Sequence, residues 1–340
     1  MSSTLVLGVE TSCDETSVAL VRDGREILAN IISSQIEIHR RFGGVVPEVA
    51  SRQHVLAINP LFEEALGAAG VGWADVTAIA ATHAPGLMGA LLVGLVAAKA
   101  AAWSLDIPFI GVHHLAAHIW ANVMANPDLD RPFLCLLVSG GHTSLVKVEG
   151  PRHFTLLGET IDDAVGEAYD KTARLLGLPY PGGPELDRLA AEGNPKAYKL
   201  PRAMLNEPGY QFSLSGLKTA VRRLIEKSAA AGIPVPAADL AASFQAAVVD
   251  VLVAKATRAA EAEGLTTLAL AGGVAANRGL REALTRRCAE RGWRLSLPPL
   301  ALCTDNAAMI AGLGHELYLE GVRSPLDLPA ASRLALPREQ

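Results

Sequence analysis

Two histidines, His114 and His118, stand four positions apart in the run His-Leu-Ala-Ala-His. On a helix this spacing places both imidazole rings on one face, where they could hold one metal ion such as zinc or iron. A site with two histidines commonly takes an anionic third ligand, and Asp305 in Cys-Thr-Asp-Asn is the best candidate. Asp305 also stands at an expected helix start, so a role as N-cap stays open. His113 would face about 100° away from His114 and is not expected to share the ion.

Two observations limit the metal and thiol chemistry. Zinc proteases of the His-Glu-x-x-His type use the glutamate as general base, whereas Leu115 follows His114 here. A peptide-cleaving enzyme would therefore need a base from elsewhere in the chain. The cysteines are far apart and form no C-x-x-C pair, which argues against a zinc ribbon or a disulfide framework; they are Cys13, Cys135, Cys288 and Cys303.

Two glycine-rich turns follow apolar runs and could cradle a phosphate or a nucleotide. Ser-Gly-Gly-His-Thr at 139–143 follows the apolar run 133–138, and Gly-Gly at 272–273 follows the run 267–271, with Asn277 near the next helix start. Glycine permits a left-handed backbone and a close approach of N–H groups to an anion. Either turn alone is equally well explained as an ordinary turn. The pair, in matching places of one half of the chain, favours a bound nucleotide.

Acidic side chains form further candidate sites. Glu10, Ser12 and Asp14 cluster on the first predicted hairpin, where they could hold magnesium or phosphate or simply form an exposed polar turn. No G-x-x-x-x-G-K-S/T segment occurs, so a P-loop is excluded. Asp187 follows a Pro-Gly-Gly-Pro turn and is another candidate. One predicted helix carries a second group of acidic residues near Lys171, namely Asp162, Asp163, Glu167 and Asp170. This group could also be a solvated helix face.

The elements that must position these residues follow one order twice. Buried apolar strands begin each half, at 5–10 and at 133–138, and each half then predicts two more strands, helix, strand, helix, strand and helix. This is the layout of the actin-like ATPase (ASKHA) fold, an α/β duplication with two lobes around a central nucleotide cleft; an ordinary doubly wound α/β protein is the alternative. We expect an N-terminal lobe at 1–125 and a C-terminal lobe at 126–340. The second lobe would carry a helical and irregular insertion at about 179–235, and its last helix could pack back on the first lobe.

Composition supports a folded, apolar chain. Its 340 residues are 50% hydrophobic and 19% charged, with a mean hydropathy of +0.27, which excludes a disordered protein. No signal peptide is recognised at the start, and the most apolar segment, 86–98, is shorter than the ~20 residues that span a bilayer. We therefore expect a buried core helix there, no membrane and a cytoplasmic location.

A nucleic-acid partner would need local basic patches, because the net charge is −5. Three clusters could contact phosphates, although runs on helices are usually solvated faces. The smallest is Arg40-Arg41. The second comprises Lys218, Arg222, Arg223 and Lys227, and the third comprises Arg278, Arg281, Arg286, Arg287, Arg291 and Arg294.

Eight segments together identify a resemblance. In chain order they are Val9–Thr16, His113–His118, Leu137–Thr143, Gly166–Lys171, Tyr180–Pro184, Phe212–Lys218, Gly272–Asn277 and Thr304–Asn306. Over nearly its whole length the chain resembles bacterial tRNA N6-adenosine threonylcarbamoyltransferases of the TsaD or Gcp type, a family formerly called O-sialoglycoprotein endopeptidases. No departure occurs at the motif positions.

The resemblance implies a reaction that spacing alone does not. Members of this family transfer the threonylcarbamoyl group of L-threonylcarbamoyladenylate to the exocyclic amine of the adenosine just 3′ of the anticodon, in tRNAs that read codons beginning with A, and release AMP. The resemblance implies that His114, His118 and Asp305 bind one divalent ion, iron or zinc, and act through it. Glu10 is a speculative choice as the general base. The implied substrate-binding residues are Leu137, Val138, Ser139, Gly140, Gly141, Asp170, Gly183, Asp187 and Asn277.

The resemblance also implies partners. They are tRNA, a smaller paralogous partner of the actin-like fold (TsaB type) and a small ATPase (TsaE type), and the adenine nucleotide could bring magnesium. Three alternatives stay open: an ATPase or kinase of the same fold, a metalloprotease lacking the usual glutamate, and a non-catalytic nucleotide-binding scaffold. The three candidate metal ligands occurring together argue against the scaffold.

Overall fold

A computed structural model describes residues 3–337. The strands are, in chain order, β1 (Leu5–Glu10), β2 (Glu15–Arg22), β3 (Glu26–Ser34), β4 (Ala78–Ala84), β5 (Phe109–His113), β6 (Phe133–Val138), β7 (Thr143–Val148), β8 (Phe154–Glu159), β9 (Thr267–Ala271) and β10 (Arg294–Ser296). The helices are α1 (Ile36–Arg40), α2 (Pro47–Ala69), α3 (Met88–Leu105), α4 (His114–Ala125), α5 (Val165–Leu175), α6 (Gly182–Ala190), α7 (Ser215–Ala230), α8 (Ala237–Ala262), α9 (Arg278–Arg291) and α10 (Ala307–Leu319).

The described residues form two compact units. Unit 1 comprises 3–129, 149–154 and 298–337, and unit 2 comprises 130–148 and 155–297. Helix α10, late in the chain, thus belongs to unit 1 and packs on β1 and α4. The predicted lobe boundary at 125 and the insertion at 179–235 stay predictions about domain organisation.

Each unit is built on a five-stranded sheet with the same strand order. The first sheet runs β3-β2-β1-β4-β5 and the second runs β8-β7-β6-β9-β10. In both, the first strand pairs antiparallel with the second strand and parallel with the fourth. The predicted duplicated actin-like fold is confirmed by this repeated order.

The sheets form where the sequence has continuous apolar runs. All residues of β1 and β6 are buried, as strands covered on both faces must be. Asp23 and Gly24 both adopt left-handed backbone conformations, with φ of 49° and 72°, and so form the tight turn between β2 and β3. Gly8 in β1 lies against the backbone oxygen of Ala307, so a side chain there would push α10 off the sheet.

The structure differs from the local sequence pattern in three places. Within the predicted helical and irregular insertion, Gly182–Ala190 form α6, a helix that the Pro-Gly-Gly-Pro run did not indicate. Asp162 and Asp163 precede α5 and do not lie on it. The short helix α1 was not predicted, because five residues give no readable helical period.

Helix α3 is less buried than its composition suggested. It and α8 are long and apolar enough to cross a membrane by length and composition, with hydropathies of 1.7 and 1.6. In α8, 67% of the apolar window is buried within the protein, and in α3 33% is buried. Core helices of globular proteins pass the same test, so this finding is weak support for a membrane span. The expected core helix instead shows one apolar face to the surface.

After α10 the chain continues as an extended segment along unit 1. Ser324 N donates to Phe109 O at 2.8 Å, and Ala331 N donates to His83 O at 2.9 Å. This segment therefore ties the end of unit 1 to β5 and β4.

Candidate active site

The three predicted metal ligands meet in unit 1. His114 and His118 occupy the first two turns of α4, and Asp305 lies just before α10. His118 Nε2 is 3.0 Å from Asp305 Oδ1, and His114 Nε2 is 3.6 Å from the same oxygen. The three ligand atoms lie within 4.8 Å of one another. Both histidines are buried, while the Asp305 side chain keeps 22% of its surface exposed. We call this group the His-His-Asp cluster.

The residues beside the cluster cap the helices. Asn306 is the N-cap of α10, and its Oδ1 accepts from Met309 N at 3.1 Å. The capping alternative for Asp305 is therefore wrong, because the next residue fills that place. His113 is the N-cap of α4 and contacts Ala116 N through Nδ1, so it lies outside the cluster, as its position on the helix predicted.

Glu10 stands behind His114. Its Oε2 accepts from His114 Nδ1 at 3.0 Å and from Thr82 Oγ1 at 2.5 Å, and its Oε1 accepts from Ser12 N at 2.5 Å. Glu10 is 0% exposed, and both of its oxygens are used inside the protein. A carboxylate bound to one ring nitrogen of a histidine orients the other nitrogen toward a metal. The geometry thus gives Glu10 an orienting position and does not support its choice as general base.

Charge around the cluster acts differently on the two histidines. Burial alone would lower the pKa of His114, but the Glu10 and Asp305 carboxylates outweigh it and raise that pKa to about 9. Burial would likewise raise the pKa of Glu10, yet the charge and hydrogen bond of His114 bring it below its ordinary value. Burial lowers the pKa of His118 despite its hydrogen bond to Asp305, which favours the neutral imidazole that ligates metals.

The donor set fits a cation. Because its pKa is raised, His114 carries a proton on Nε2 that faces Asp305 Oδ1 at 3.6 Å, while Nδ1 donates to Glu10, and a metal ion would take the place of the Nε2 proton. The cation would then satisfy both Nε2 and Oδ1. Two imidazoles with one carboxylate are ligands that zinc and iron accept.

A cavity of about 370 Å³ in unit 2 collects five of the predicted substrate-binding residues. They are Gly140, Asp170, Gly183, Asp187 and Asn277. Leu137 and Val138 are 0% exposed inside β6, so their side chains support the turn and do not line the cavity. Ser139 and Gly141 are not part of the lining either. Ser139 N donates to His142 O at 2.8 Å, and this hydrogen bond closes the turn.

The polar residues of this cavity also hold its walls together. Asp170 Oδ1 accepts from Gly182 N and Gly183 N, at 2.8 and 3.2 Å, and so fixes the start of α6. Asp187 Oδ2 accepts from Arg278 N at 3.0 Å, while its buried Oδ1 has no hydrogen-bond partner in the described part of the chain. An acceptor left unpaired in a cavity wall suits a ligand that donates a hydrogen bond.

Sequence reasoning missed several wall residues. Tyr169 lines the cavity, is 2% exposed, and its hydroxyl donates to Gln245 Oε1 at 3.3 Å. Gln245 also accepts from Asn277 Nδ2 at 3.0 Å and thereby joins α8 to the start of α9. Tyr169 lay inside the segment Gly166–Lys171 and could have been found there, whereas Gln245 on α8 carried no local signal.

The remaining acidic candidates are structural. Asp162 accepts from Ser213 Oγ, Leu214 N and Ser215 Oγ at 2.5, 2.8 and 2.8 Å, and so secures the start of α7. Lys171 pairs with Asp163 and with Glu167, each at 2.7 Å. The predicted acidic face of α5 is thus an ion-pair group, of which only Asp170 reaches the cavity.

Solved structures support the fold at low sequence identity. The structure of T. kodakarensis HypF matches with a TM-score of 0.62 and 19% identity, covering 94% of this chain and 48% of that chain. Component A of the Acidaminococcus fermentans (R)-2-hydroxyglutaryl-CoA dehydratase matches with a TM-score of 0.52 and 18% identity, covering 94% of this chain and 97% of that chain. At these identities the matches concern the fold alone, which is the actin-like one.

Sequence comparison gives the family. A curated tRNA N6-adenosine threonylcarbamoyltransferase of Picosynechococcus sp. is 54% identical over 341 aligned positions, covering 99% of this chain and 96% of that protein. The family model described as TsaD, tRNA N6-adenosine threonylcarbamoyltransferase, matches residues 26–312. The chain therefore belongs to the TsaD family of tRNA N6-adenosine threonylcarbamoyltransferases.

Proposed function

We propose that this chain transfers the threonylcarbamoyl group of L-threonylcarbamoyladenylate to the exocyclic amine of the adenosine just 3′ of the anticodon of tRNA, and that AMP is released. The observation that carries the proposal, within this family, is the His-His-Asp cluster with Glu10 placed behind His114. A kinase or a scaffold gives no comparable reason for a buried ligand set with an orienting carboxylate, and a metalloprotease would lack the usual glutamate because Leu115 follows His114.

In the proposed site His114, His118 and Asp305 hold one divalent ion, iron or zinc. When bound, such an ion supplies Lewis acidity that stabilises negative charge on a carbonyl oxygen. Glu10 keeps the proton of His114 on Nδ1, which leaves Nε2 available as a ligand. Burial keeps His118 neutral for the same purpose.

The cavity of unit 2 is the proposed place of the adenylate. Its glycine turn lets backbone N–H groups approach phosphate oxygens. The unpaired Oδ1 of Asp187 is suited to accept from a ribose hydroxyl, and Asn277 borders the same wall. Magnesium with the nucleotide stays a prediction: Glu10 and Ser12 of the first hairpin already contact His114, so only Asp14 remains there for a second ion.

The reaction is an acyl transfer to nitrogen. The lone pair of the adenosine amine forms a C–N bond to the carbamoyl carbon, and the bond from that carbon to the phosphate oxygen breaks. AMP leaves with that electron pair, and the amine loses one proton to solvent or to a base. No covalent intermediate on the protein is needed, and burial and nearby carboxylates raise the pKa of the Cys13 thiol, which makes it a poor nucleophile.

The proposed protein partners are the TsaB-type paralogue and the TsaE-type ATPase. Unit 1 offers a broad apolar face on α2 and α3, where Trp103 is 75% exposed. Exposed apolar patches of this kind mark protein interfaces. We assign the paralogue to this face, whose other exposed members are Val55, Leu56, Met88, Leu92 and Val96. Because the substrate is tRNA, the proposed place of action is the cytoplasm.

The test is a transfer assay with purified chain, the two partner proteins, threonylcarbamoyladenylate and unmodified tRNA, read by mass spectrometry of the nucleosides. We expect the modified nucleoside with wild type and its loss with His118→Ala. The matched control is His315→Ala, a buried histidine further along α10 that contacts Thr4 and not the cluster.

Two results would contradict the proposal. Modification that persists at the wild-type rate in His118→Ala and after chelation would remove the metal from the mechanism. No product from wild type, together with ATP hydrolysis that survives His118→Ala, would favour the ATPase alternative.

A further inference from the structure

The loop between α1 and α2 ends in a tip of unusual composition. Arg41 and Phe42 are both exposed there, and 59% of the surface of Phe42 is open to solvent. The Arg41 guanidinium has no hydrogen-bond or ion-pair partner among residues 3–337, whereas that of the preceding Arg40 pairs with Glu37 at 2.9 Å. An unpaired guanidinium beside an exposed aromatic ring is thus presented to solvent, and no part of the cluster or the cavity uses it.

This tip is rigidly built in spite of its exposure. His39 at the base of the loop is 0% exposed; its Nδ1 accepts from Val46 N at 3.3 Å and its Nε2 donates to Gln35 Oε1 at 3.1 Å. Phe42 N donates to His39 O at 2.9 Å, and Gly43 adopts a left-handed φ of 69° that closes the turn. The backbone at the base of the tip is therefore held by hydrogen bonds within the protein.

The loop is anchored on the hairpin that supports the His-His-Asp cluster. Gln35 N donates to Asp14 O at 3.0 Å, and the buried His54 donates from Nε2 to Cys13 O at 2.9 Å. The neighbouring residue on that hairpin, Ser12, has its Oγ 3.2 Å from His114 Nδ1. The hydrogen bonds of Gln35 and His54 thus join the two helices that flank the loop to the hairpin segment whose Ser12 contacts His114.

We propose that Arg41 and Phe42 contact the single-stranded anticodon loop of the tRNA substrate, the ring by stacking on a base and the guanidinium by binding a phosphate. This inference rests on the proposed function. Aromatic rings and arginines are the side chains with which proteins hold unpaired RNA bases and their backbone. A chain with net charge −5 needs such local cations to hold a polyanion.

The other occupant of an exposed ring would be a protein partner. The tip differs from the apolar face of α2 and α3, because a single ring stands beside a cation without an ionic partner in the described residues. A rigid support from the hairpin of the His-His-Asp cluster is also more useful for placing a nucleotide than for general adhesion. These features favour RNA.

The experiment measures binding without the reaction. The complete enzyme, with its partner proteins and no adenylate, is titrated against a fluorescein-labelled anticodon stem-loop RNA over a range of salt concentrations. We expect Phe42→Ala to weaken binding by about 10-fold, as for other base-stacking aromatics, and Phe42→Tyr to restore it. Arg41→Ala should lower the slope of log K against log salt by about 0.7. Matched controls are Ile233→Ala, 63% exposed in unit 2, and Arg25→Ala in unit 1.

Failure of this inference is separable from failure of the proposed function. RNA affinity that is unchanged in both Phe42→Ala and Arg41→Ala would overturn it, and so would loss of the partner proteins from Phe42→Ala with RNA affinity intact. If wild type bound RNA through Phe42 but modified no tRNA, the contact would stand and the transferase proposal would fall.

Discussion

The two units use one strand order to build different kinds of site. In unit 1 the turn after β1 is buried and polar, and its Ser12 and the preceding Glu10 contact His114. In unit 2 the turn after β6 is open: apart from chain neighbours, no atom of residues 3–337 lies within 4 Å of where a side chain would begin at Gly140 or Gly141. At this turn unit 1 thus presents buried polar side chains, whereas unit 2 presents open backbone beside its cavity. The same repeated fold therefore offers different chemical groups at the equivalent turn.

The sharpest way to break this comparison is to damage the cluster of unit 1 alone. Asp305→Ala removes the only anionic member of the His-His-Asp cluster, so we expect transfer to fall at least about 100-fold, beyond the loss typical of a residue that merely orients a metal ligand. Because the cavity residues lie in unit 2, AMP affinity should stay within about twofold. Metal content by elemental analysis and AMP binding by calorimetry test this. Parallel loss of AMP affinity would show that the two sites are not separable.

The converse change strikes unit 2. A methyl group at Gly166 would lie 2.7 Å from Gly140 Cα and 2.8 Å from Ser139 O, so the turn would have to shift. We expect Gly166→Ala to weaken AMP binding about 10-fold and to cost roughly 1–3 kcal/mol of unfolding free energy, with metal content unchanged. Gly216→Ala is the control, because nothing lies within 4 Å of its added methyl; equal damage there would refute the steric argument.

Glu10→Gln should sharpen the contrast through pH. Because its pKa is raised to about 9, His114 is protonated at neutral pH, and a metal ion must displace that proton in order to bind. Metal affinity should therefore rise with pH, by at most tenfold per pH unit, until about pH 9. Removing the Glu10 charge lowers the pKa of His114, and the rise should then end at a lower pH. Loss of the orienting carboxylate should also weaken metal binding by about 10- to 100-fold. Calorimetric titration with zinc at several pH values measures both effects; an identical pH profile would contradict them.

The smallest effect is expected at Asp162, which supports α7 in unit 2. Its hydrogen bonds to the start of that helix hold the pKa of its carboxyl below the ordinary value, with burial acting in the opposite direction. A lowered folded-state pKa contributes stability above the unfolded pKa, and this contribution is lost as pH falls through the folded value. We expect Asp162→Ala to cost about 1 kcal/mol at pH 7, with the difference from wild type vanishing in strong acid. Denaturant unfolding at both pH values tests this, and a difference that persists in acid would point to packing instead.

Local pattern predicted the sheets better than the connections. The bounds of β1 and β6 follow from apolar runs, because strands buried on both faces must be continuously apolar. Helix α6 was missed because its first turn is Gly-Gly-Pro, and the Asp170 carboxylate that holds its N–H groups is 12 residues away in the sequence. A helix start stabilised by such a contact has no local signature.

The site was predictable in its helical part and less so in its long-range part. Spacing placed His114 and His118 on one face, but the partnership with Asp305 spans 187 residues, and local sequence could offer that residue only as a candidate third ligand with an N-cap as its alternative. The hydrogen bonds of Glu10 could not be predicted from the sequence, because they depend on Thr82 and His114 from other elements. Sequence thus indicated which residues matter, and only their packing indicated how.

The place of α10 in unit 1 has a consequence for biosynthesis. All of unit 2 between 155 and 297 is translated before the residues from 298 onward that complete unit 1. On the ribosome, unit 2 can therefore finish folding before unit 1 does, while the face of β1 that α10 will cover is still exposed. Since Asp305 emerges only with that final part, the nascent chain carries a histidine pair without its carboxylate for most of its synthesis. The His-His-Asp cluster is completed among the last steps of making the protein.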